Sequence, residues 1–415
     1  MSVPSSGLSP RPPAWRRGRR SWYAVAVGAV LVLLTVALHP AGATPRTGPA
    51  SPQSAGARYG GFSPDGSFPF LTESAVEHDL DEMVATGASW VRLGAVWSIV
   101  ESSQGSYDWT SADRQVLPAR ARGLNVLLIL TYTPDWARST PGDDKVGPTS
   151  ASAVAAFGAF ARAAAARYGP QGVTAFEIWN EPNISPFWAP RPNPAAYTRL
   201  LTSAAAGIRA VNPAATIVTG GLAPAGDPAD GSQISPLTFT KDLYANGAQG
   251  SFTALGLHPY SFPALPDDTS TASWNAFQRA PLLHDVMASH GDGAKFIWFT
   301  EFGAPTGTSS AAVSDDLQAQ TITRGYAMLS RWPWAGPLFT YTLRDAGTDR
   351  ADREQNFGLR RYDDTPKPAW RAYVSAMQAT APSGSFGHPR KLRHRPRPTA
   401  TPTAVATMPP VASRR

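Results

Sequence analysis

Eight short apolar runs rich in β-branched residues recur through the middle of the chain, separated by stretches patterned for helices. They fall at 58–62, 89–96 ("SWVRLGAV"), 124–132 ("LNVLLILTY"), 173–179 ("VTAFEIW"), 215–221 ("ATIVTGG"), 252–258 ("FTALGLH"), 294–300 ("AKFIWFT") and 336–342 ("GPLFTYT"). Strands that are apolar at successive positions are buried on both faces, the habit of parallel sheets covered by helices. The clearest helical patterns are "ASAVAAFGAFARAAAARYG", Ala-rich and stopped at Gly169, and "PAAYTRLLTSAAAGIRAVN", which follows Pro194 and halts before Pro213. Eight such repeats, with no glycine-rich phosphate loop after the first strand, predict an α/β chain closed into a (β/α)₈ TIM barrel rather than a doubly wound sheet. A barrel of this kind carries its active site where the strands end.

Composition divides the chain into regions. Its 40 prolines crowd toward both ends of the 415 residues, where Pro, Ala, Thr, Ser and Arg dominate and too little apolar surface exists to drive folding. The net charge of +7 arises there as well: residues 1–57 carry 6 Arg and residues 381–415 carry 7 Lys plus Arg, neither with an acid. Residues 58–380 hold all 30 acids against the other 24 of the 37 bases, and an acidic core argues against a nucleic-acid partner. Cysteine is absent, which excludes disulfides and thiolate sites.

The N-terminal "RRGRRSWYAVAVGAVLVLLTVALHPAGA" combines Arg16, Arg17, Arg19 and Arg20, an apolar run from Trp22 to Leu38 and a small-residue site at Ala41–Ala43. It reads either as an export signal cleaved near Ala43 or as an uncleaved membrane tether, since about 17 apolar residues is the lower limit for crossing a ~30 Å hydrocarbon core. Both readings place the folded part outside the cytoplasm, extracellular or at the cell surface. The expected organisation is a signal peptide or anchor over 1–43, a linker over 44–57, the barrel over 58–380 and a disordered basic tail over 381–415. That tail is either a binder of anionic wall polymer or a flexible end.

Polar and aromatic residues stand at or just past the strand ends. Arg92 lies in the second run with Trp97 beyond it, and the third ends "TYTPDWA", giving Tyr132, Asp135 and Trp136. The fourth ends in Asn180 and Glu181, the sixth in His258 and Tyr260, the seventh in Glu301, and the eighth in Tyr341, Arg344 and Asp345. Any one of these has a structural explanation, but their gathering at one rim points to a site.

Glu181 and Glu301, at the ends of strands four and seven, lie roughly across a barrel from one another. Glycoside hydrolysis needs that pairing: one carboxylic acid protonates the departing oxygen while the other carboxylate attacks the anomeric carbon. Asn180 supplies an amide for a sugar 2-hydroxyl, and Arg92 and Tyr260 are suited to keep Glu301 ionised. Apolar neighbours such as Trp179 and Phe176, together with repulsion from Glu301, are expected to raise the pKa of Glu181.

"WNEPN", "WFTEFG", "VRLGAVW" and "HPY" resemble the clan A glycoside hydrolases, retaining (β/α)₈ enzymes. "LILTYTPDWA" and "YTLRD" are most similar to the family 39 group and bacterial exopolysaccharide endoglycosidases, with family 5 cellulases next. Over residues 58–380 the resemblance implies Glu181 as acid/base and Glu301 as nucleophile, with Asn180, Arg92, His258 and Tyr260 supporting them or binding sugar. The chain departs from the pattern at strand eight, which lacks the Trp that floors the sugar site in many members; Tyr341 or Trp298 is the substitute. No accessory β-sandwich follows, only the closing helix "KPAWRAYVSAMQA", which favours a polysaccharide-cleaving enzyme with an open cleft over a β-xylosidase.

Trp97, Tyr132, Trp136, Trp188 and Tyr260 fall in predicted loops at the rim, where flat rings stack on pyranoses, and point to an extended carbohydrate. His258 and His284 are too far apart in sequence for a metal motif, so neither a metal nor another cofactor is expected, and the chain is read as a monomer. Two rival readings share the fold: a transglycosylase, in which a sugar rather than water resolves the intermediate, and a carbohydrate-binding barrel without turnover.

Overall fold

The computed structural model describes residues 60–380 apart from residue 141. The proposed leader (1–43), linker (44–57) and basic tail (381–415) lie outside the described residues. Among the described residues no helix is long and apolar enough to cross a membrane.

In chain order the elements are β1 (Gly61–Phe62), α1 (Glu73–Ala85), β2 (Trp90–Val96), a single turn α2 (Trp97–Val100), α3 (Thr110–Ala121) and β3 (Asn125–Thr131). Next come α4 (Ala151–Tyr168), β4 (Ala175–Ile178), α5 (Pro194–Arg209), β5 (Thr216–Thr219), α6 (Pro236–Ala245) and β6 (Ala254–Leu257). The last are α7 (Ala276–Ser289), β7 (Phe296–Phe302), α8 (Asp315–Leu329), β8 (Ala335–Thr340) and α9 (Pro368–Thr380). All eight strands pair in parallel with their sequence neighbours, and β1 pairs with β8, so the sheet is a closed barrel.

Local chemistry sets the helix ends. Ser150, Asn193, Ser235 and Ser314 each cap a helix by accepting from a backbone N–H three residues on, and α5 and α6 begin with proline, whose missing N–H costs nothing there. Gly169 keeps right-handed geometry; the chain turns once more and is stopped by Gly172 at φ 86°. The left-handed glycine is therefore three residues later than the sequence pattern suggests.

Alternation along the strands creates two apolar layers. Phe176, Ile178, Leu128 and Leu130 face the helices, whereas Trp90, Leu127, Ala175, Val218, Ala254, Trp298 and Phe339 fill the barrel interior as a plug. Two residues further along three of these strands the interior turns polar, with Arg92, Glu177 and Thr300. The site is built on that polar tier.

Candidate active site

Arg92 organises the tier. Its Nε donates to Glu177 Oε2 at 2.6 Å, one Nη to Glu301 Oε1 at 2.6 Å and to Ser63 Oγ at 3.3 Å, and the other Nη to Asn180 Oδ1 at 2.8 Å. Glu177, fully buried, also accepts from the Gly221 N–H at 2.9 Å and from Thr300 Oγ1 at 3.0 Å. A buried ion pair is tolerable only when its remaining donors and acceptors are satisfied, and here they are. Because Asn180 spends its carbonyl on Arg92, its NH₂ is the end left for a ligand.

Two backbone devices lift the carboxylates toward the cleft. On β7, Thr300 already points inward, so strict alternation would turn Glu301 outward. Between Phe299 and Phe302, however, β7 advances three residues while β8 advances two, from Leu338 to Thr340. The extra residue is a bulge, which brings consecutive side chains to one face. On β4, the strand ends at Ile178, and Trp179 (φ 73°) and Glu181 (φ 44°) adopt left-handed geometry that ordinary residues avoid. The strand thus stops before Pro182 is reached. Tyr132, just past β3, has φ 66°, so three of the four non-glycine residues with positive φ among the described residues cluster at this rim, where strain is held by surrounding contacts.

Glu181 Oε1 meets His258 Nδ1 at 2.8 Å, and Glu301 Oε2 accepts from the Tyr260 hydroxyl at 2.9 Å and lies 3.6 Å from His258 Nδ1. Glu181, His258 and Glu301 each offer an atom within 4.8 Å of the others. As a cation site the trio is poor, since the Arg92 guanidinium already occupies Glu301.

The two carboxyl groups are driven apart. Burial raises the pKa of Glu181, and the nearby charge of Glu301 adds to this, outweighing the lowering influence of His258 and Arg92. Burial acts on Glu301 too, but there it is overcome by the charges of His258 and Arg92 and by hydrogen bonds from Tyr260 and Arg92, which hold its pKa below the usual value. His258 is pushed down by burial and up more strongly by Glu301 and Glu181, for a net rise. Of the two, Glu301 is therefore the more readily ionised and Glu181 the more readily protonated.

The cleft above this pair encloses about 1000 Å³ and is lined by Arg92, Tyr132, Asn180, Glu181, Tyr260, Glu301 and Tyr341 among others. His258 is fully buried behind Glu181. Four aromatic candidates lie elsewhere. Trp97 is buried and donates to Glu101 Oε2 at 2.7 Å, Trp136 donates to the Glu101 carbonyl at 2.8 Å, and the two rings pack edge to face. Trp298 belongs to the interior plug beneath the polar tier, which leaves Tyr341 at the end of strand eight as the ring facing the cleft. Trp188 is buried against Trp179 and Tyr197. Phe176 faces the helices rather than Glu181, because it stands one residue out of phase with Glu177. Asp135 is exposed and pairs with Arg138, while Arg344 and Asp345 are taken by Asp79 and Lys367.

Sequence reasoning missed Glu177, although its signal was present: an acid inside the apolar run "VTAFEIW" must find a buried partner.

A family model, cellulase (glycosyl hydrolase family 5), matches residues 59–328, well over half of the chain. The chain belongs to glycosyl hydrolase family 5. The motif comparison placed family 39 first, and solved structures of both families share the fold. A family 39 glycoside hydrolase from Bacteroides cellulosilyticus WH2 is 22% identical with TM-score 0.64, over 78% of this chain and 64% of that one. A monomeric β-xylosidase from Caulobacter crescentus CB15 is 20% identical with TM-score 0.58, over 77% and 67%. A GH5_18 enzyme from Streptomyces cattleya in complex with GlcNAc is 19% identical with TM-score 0.60, over 80% and 83%. This chain therefore spans 64% of the length of the first of these relatives. No curated protein matches the sequence. The family 5 match ends before β8, so Tyr341 lies beyond it.

Proposed function

We propose that this family 5 domain is an exported retaining glycosidase that hydrolyses β-glycosidic bonds of an oligo- or polysaccharide by double displacement. The observation that carries the reading is the pair Glu181 and Glu301, with ligating atoms within 4.8 Å and pKa values displaced in opposite directions. Retaining enzymes hold their carboxyl groups about 5–5.5 Å apart, whereas inverting ones leave roughly 6.5–9.5 Å for a water.

In the first step, a Glu301 oxygen attacks the anomeric carbon and Glu181 gives its proton to the departing glycosidic oxygen. Arg92 and Tyr260 orient the nucleophile through the two hydrogen bonds they make to it. Forming the ester removes the charge of Glu301, and with it one of the influences raising Glu181. Glu181, left as a carboxylate by the first step, then takes a proton from the incoming water, whose oxygen attacks the anomeric carbon, breaks the ester bond and frees Glu301 as a carboxylate. The Asn180 NH₂ is placed to bind a 2-hydroxyl, a contact that strengthens in the transition state.

Export rests on the positive flank and apolar run before residue 43. The test of mechanism is NMR of the first-formed product from an aryl β-glycoside: a β-anomer supports double displacement, and an α-anomer excludes it. Elongated products at high sugar concentration would identify the transglycosylase, and no aglycone release from any sugar of an aryl panel would identify the binding barrel.

A further inference from the structure

Most large rings near the rim are buried or half-buried, but two are exposed. Phe70, in the loop after β1, is 71% exposed, and Trp274, in the loop after β6, is 49% exposed. Leaving a large apolar side chain in water forgoes the favourable free energy of burying it. Both rings line the cleft that holds Glu181 and Glu301. Both are also held in place. Phe70 ends a 3₁₀ turn anchored by buried Phe68, and its N–H bonds the Ser67 carbonyl at 2.8 Å. The Trp274 N–H bonds the Thr271 carbonyl at 3.0 Å, and the next residue, Asn275, caps α7 and is tied to Leu265.

The order of strands gives their position meaning. Going round the closed barrel, the loops after β1 and β6 divide the rim into an arc containing β2–β5 and an arc containing β7 and β8. Glu181 follows β4 on the first arc, and Glu301 lies on β7 in the second. By strand order, a line across the rim from the loop of Phe70 to the loop of Trp274 separates the strand that Glu181 follows from the strand that carries Glu301.

We propose that Phe70 and Trp274 are the outer sugar platforms of a through-running cleft that binds a neutral β-linked polysaccharide along its length and cleaves it internally. This rests on the glycosidase reading and adds the substrate class and the mode of attack. Pyranose rings present flat C–H faces to aromatic surfaces, while their hydroxyls need polar walls. Those walls carry Lys145 paired with Asp144 at 2.7 Å and Arg353 paired with Glu354 at 2.6 Å. Cations already paired with acids offer no net attraction to a polyanion, which favours an uncharged chain. Platforms on both sides of the bond to be broken require sugars on both sides.

The experiment compares the wild type with Phe70→Ala and Trp274→Ala on 4-nitrophenyl β-glycosides of one to five sugars and on soluble mannan, β-glucan and xylan; thermal unfolding checks each variant. An aryl leaving group lets the sugar chain extend to one side of the cut only. We expect the length dependence of kcat/KM to flatten in one variant alone, and kcat/KM on the polymer to fall on the order of ten-fold in both, equivalent to ~1.4 kcal/mol each. Mixed oligosaccharides should appear early. Release of single sugars from chain ends, or polymer rates unchanged in both variants, would overturn the proposal. A wild type inactive on every probe would instead overturn the glycosidase reading beneath it.

Discussion

Glu177 makes three hydrogen bonds without facing the cleft, and its effect reaches the reaction through Arg92. Its charge shares the guanidinium with Glu301. Glu177→Gln should let the cation act on Glu301 less divided, lowering that pKa further and weakening the nucleophile: kcat falls and the acidic limb of the pH–rate profile moves to lower pH. A kcat loss with an unmoved limb would mean that Glu177 is only structural. The wild-type profile follows from the same shifts. Activity requires Glu301 ionised, so it is lost as pH falls through a pKa held below the ordinary carboxylate value. Glu181 must keep its proton, so activity is also lost as pH rises through a pKa held above that value. Measuring kcat/KM against pH should give a bell whose two limbs lie on either side of the usual range. Glu301→Ala should reduce turnover on the order of 10⁴-fold or more. Glu181→Ala should lose about 10²–10⁴-fold on poor leaving groups, keep activity on good ones, and yield a β-glycosyl azide when azide is added.

At the level of elements, the rim depends on ties between loops. Lys367, just before α9, is buried and donates to Asp345 at 2.7 Å, to Thr306 at 2.9 Å and to the Asn356 carbonyl at 3.2 Å, joining the loop after β7 to the loop after β8. Burial lowers its pKa and raises that of Asp345, so each depends on the other for its charge. Lys367→Met should destabilise the fold by about 3–5 kcal/mol in denaturant titration, the cost of leaving one buried charge unpaired. A change below about 1 kcal/mol would show that the pair is not holding these loops. Strand identity was legible from apolar runs, and every predicted run overlaps an observed strand. The bulge on β7 was not, because "FIWFTEF" carries no mark of which residue is extra; the pairing with β8 decides that.

For the whole molecule, charge is divided between an acidic middle and basic ends. A chain limited to residues 58–380 should migrate as an acidic protein near neutral pH and keep the kcat/KM of the full chain on a soluble substrate; a large loss in rate would place part of the site in the ends. The candidate site was half legible. Glu181, Glu301, Asn180 and Arg92 announce themselves because polar residues inside or closing apolar strands are costly unless they have partners. The aromatics misled, since Trp97, Trp188 and Trp298 became core or plug and Trp136 packs half-buried against the core, while Phe70 and Trp274, unremarkable in sequence, stand exposed along the cleft. Periodicity and burial cost are properties of neighbouring residues, so the sequence by itself determined the eightfold alternation, the closed barrel and the residue types at its rim. Which ring faces water and which carboxyl holds its proton more tightly are decided by groups far apart in the chain, and only the tertiary structure sets the Arg92 guanidinium 2.6 Å from both Glu177 and Glu301.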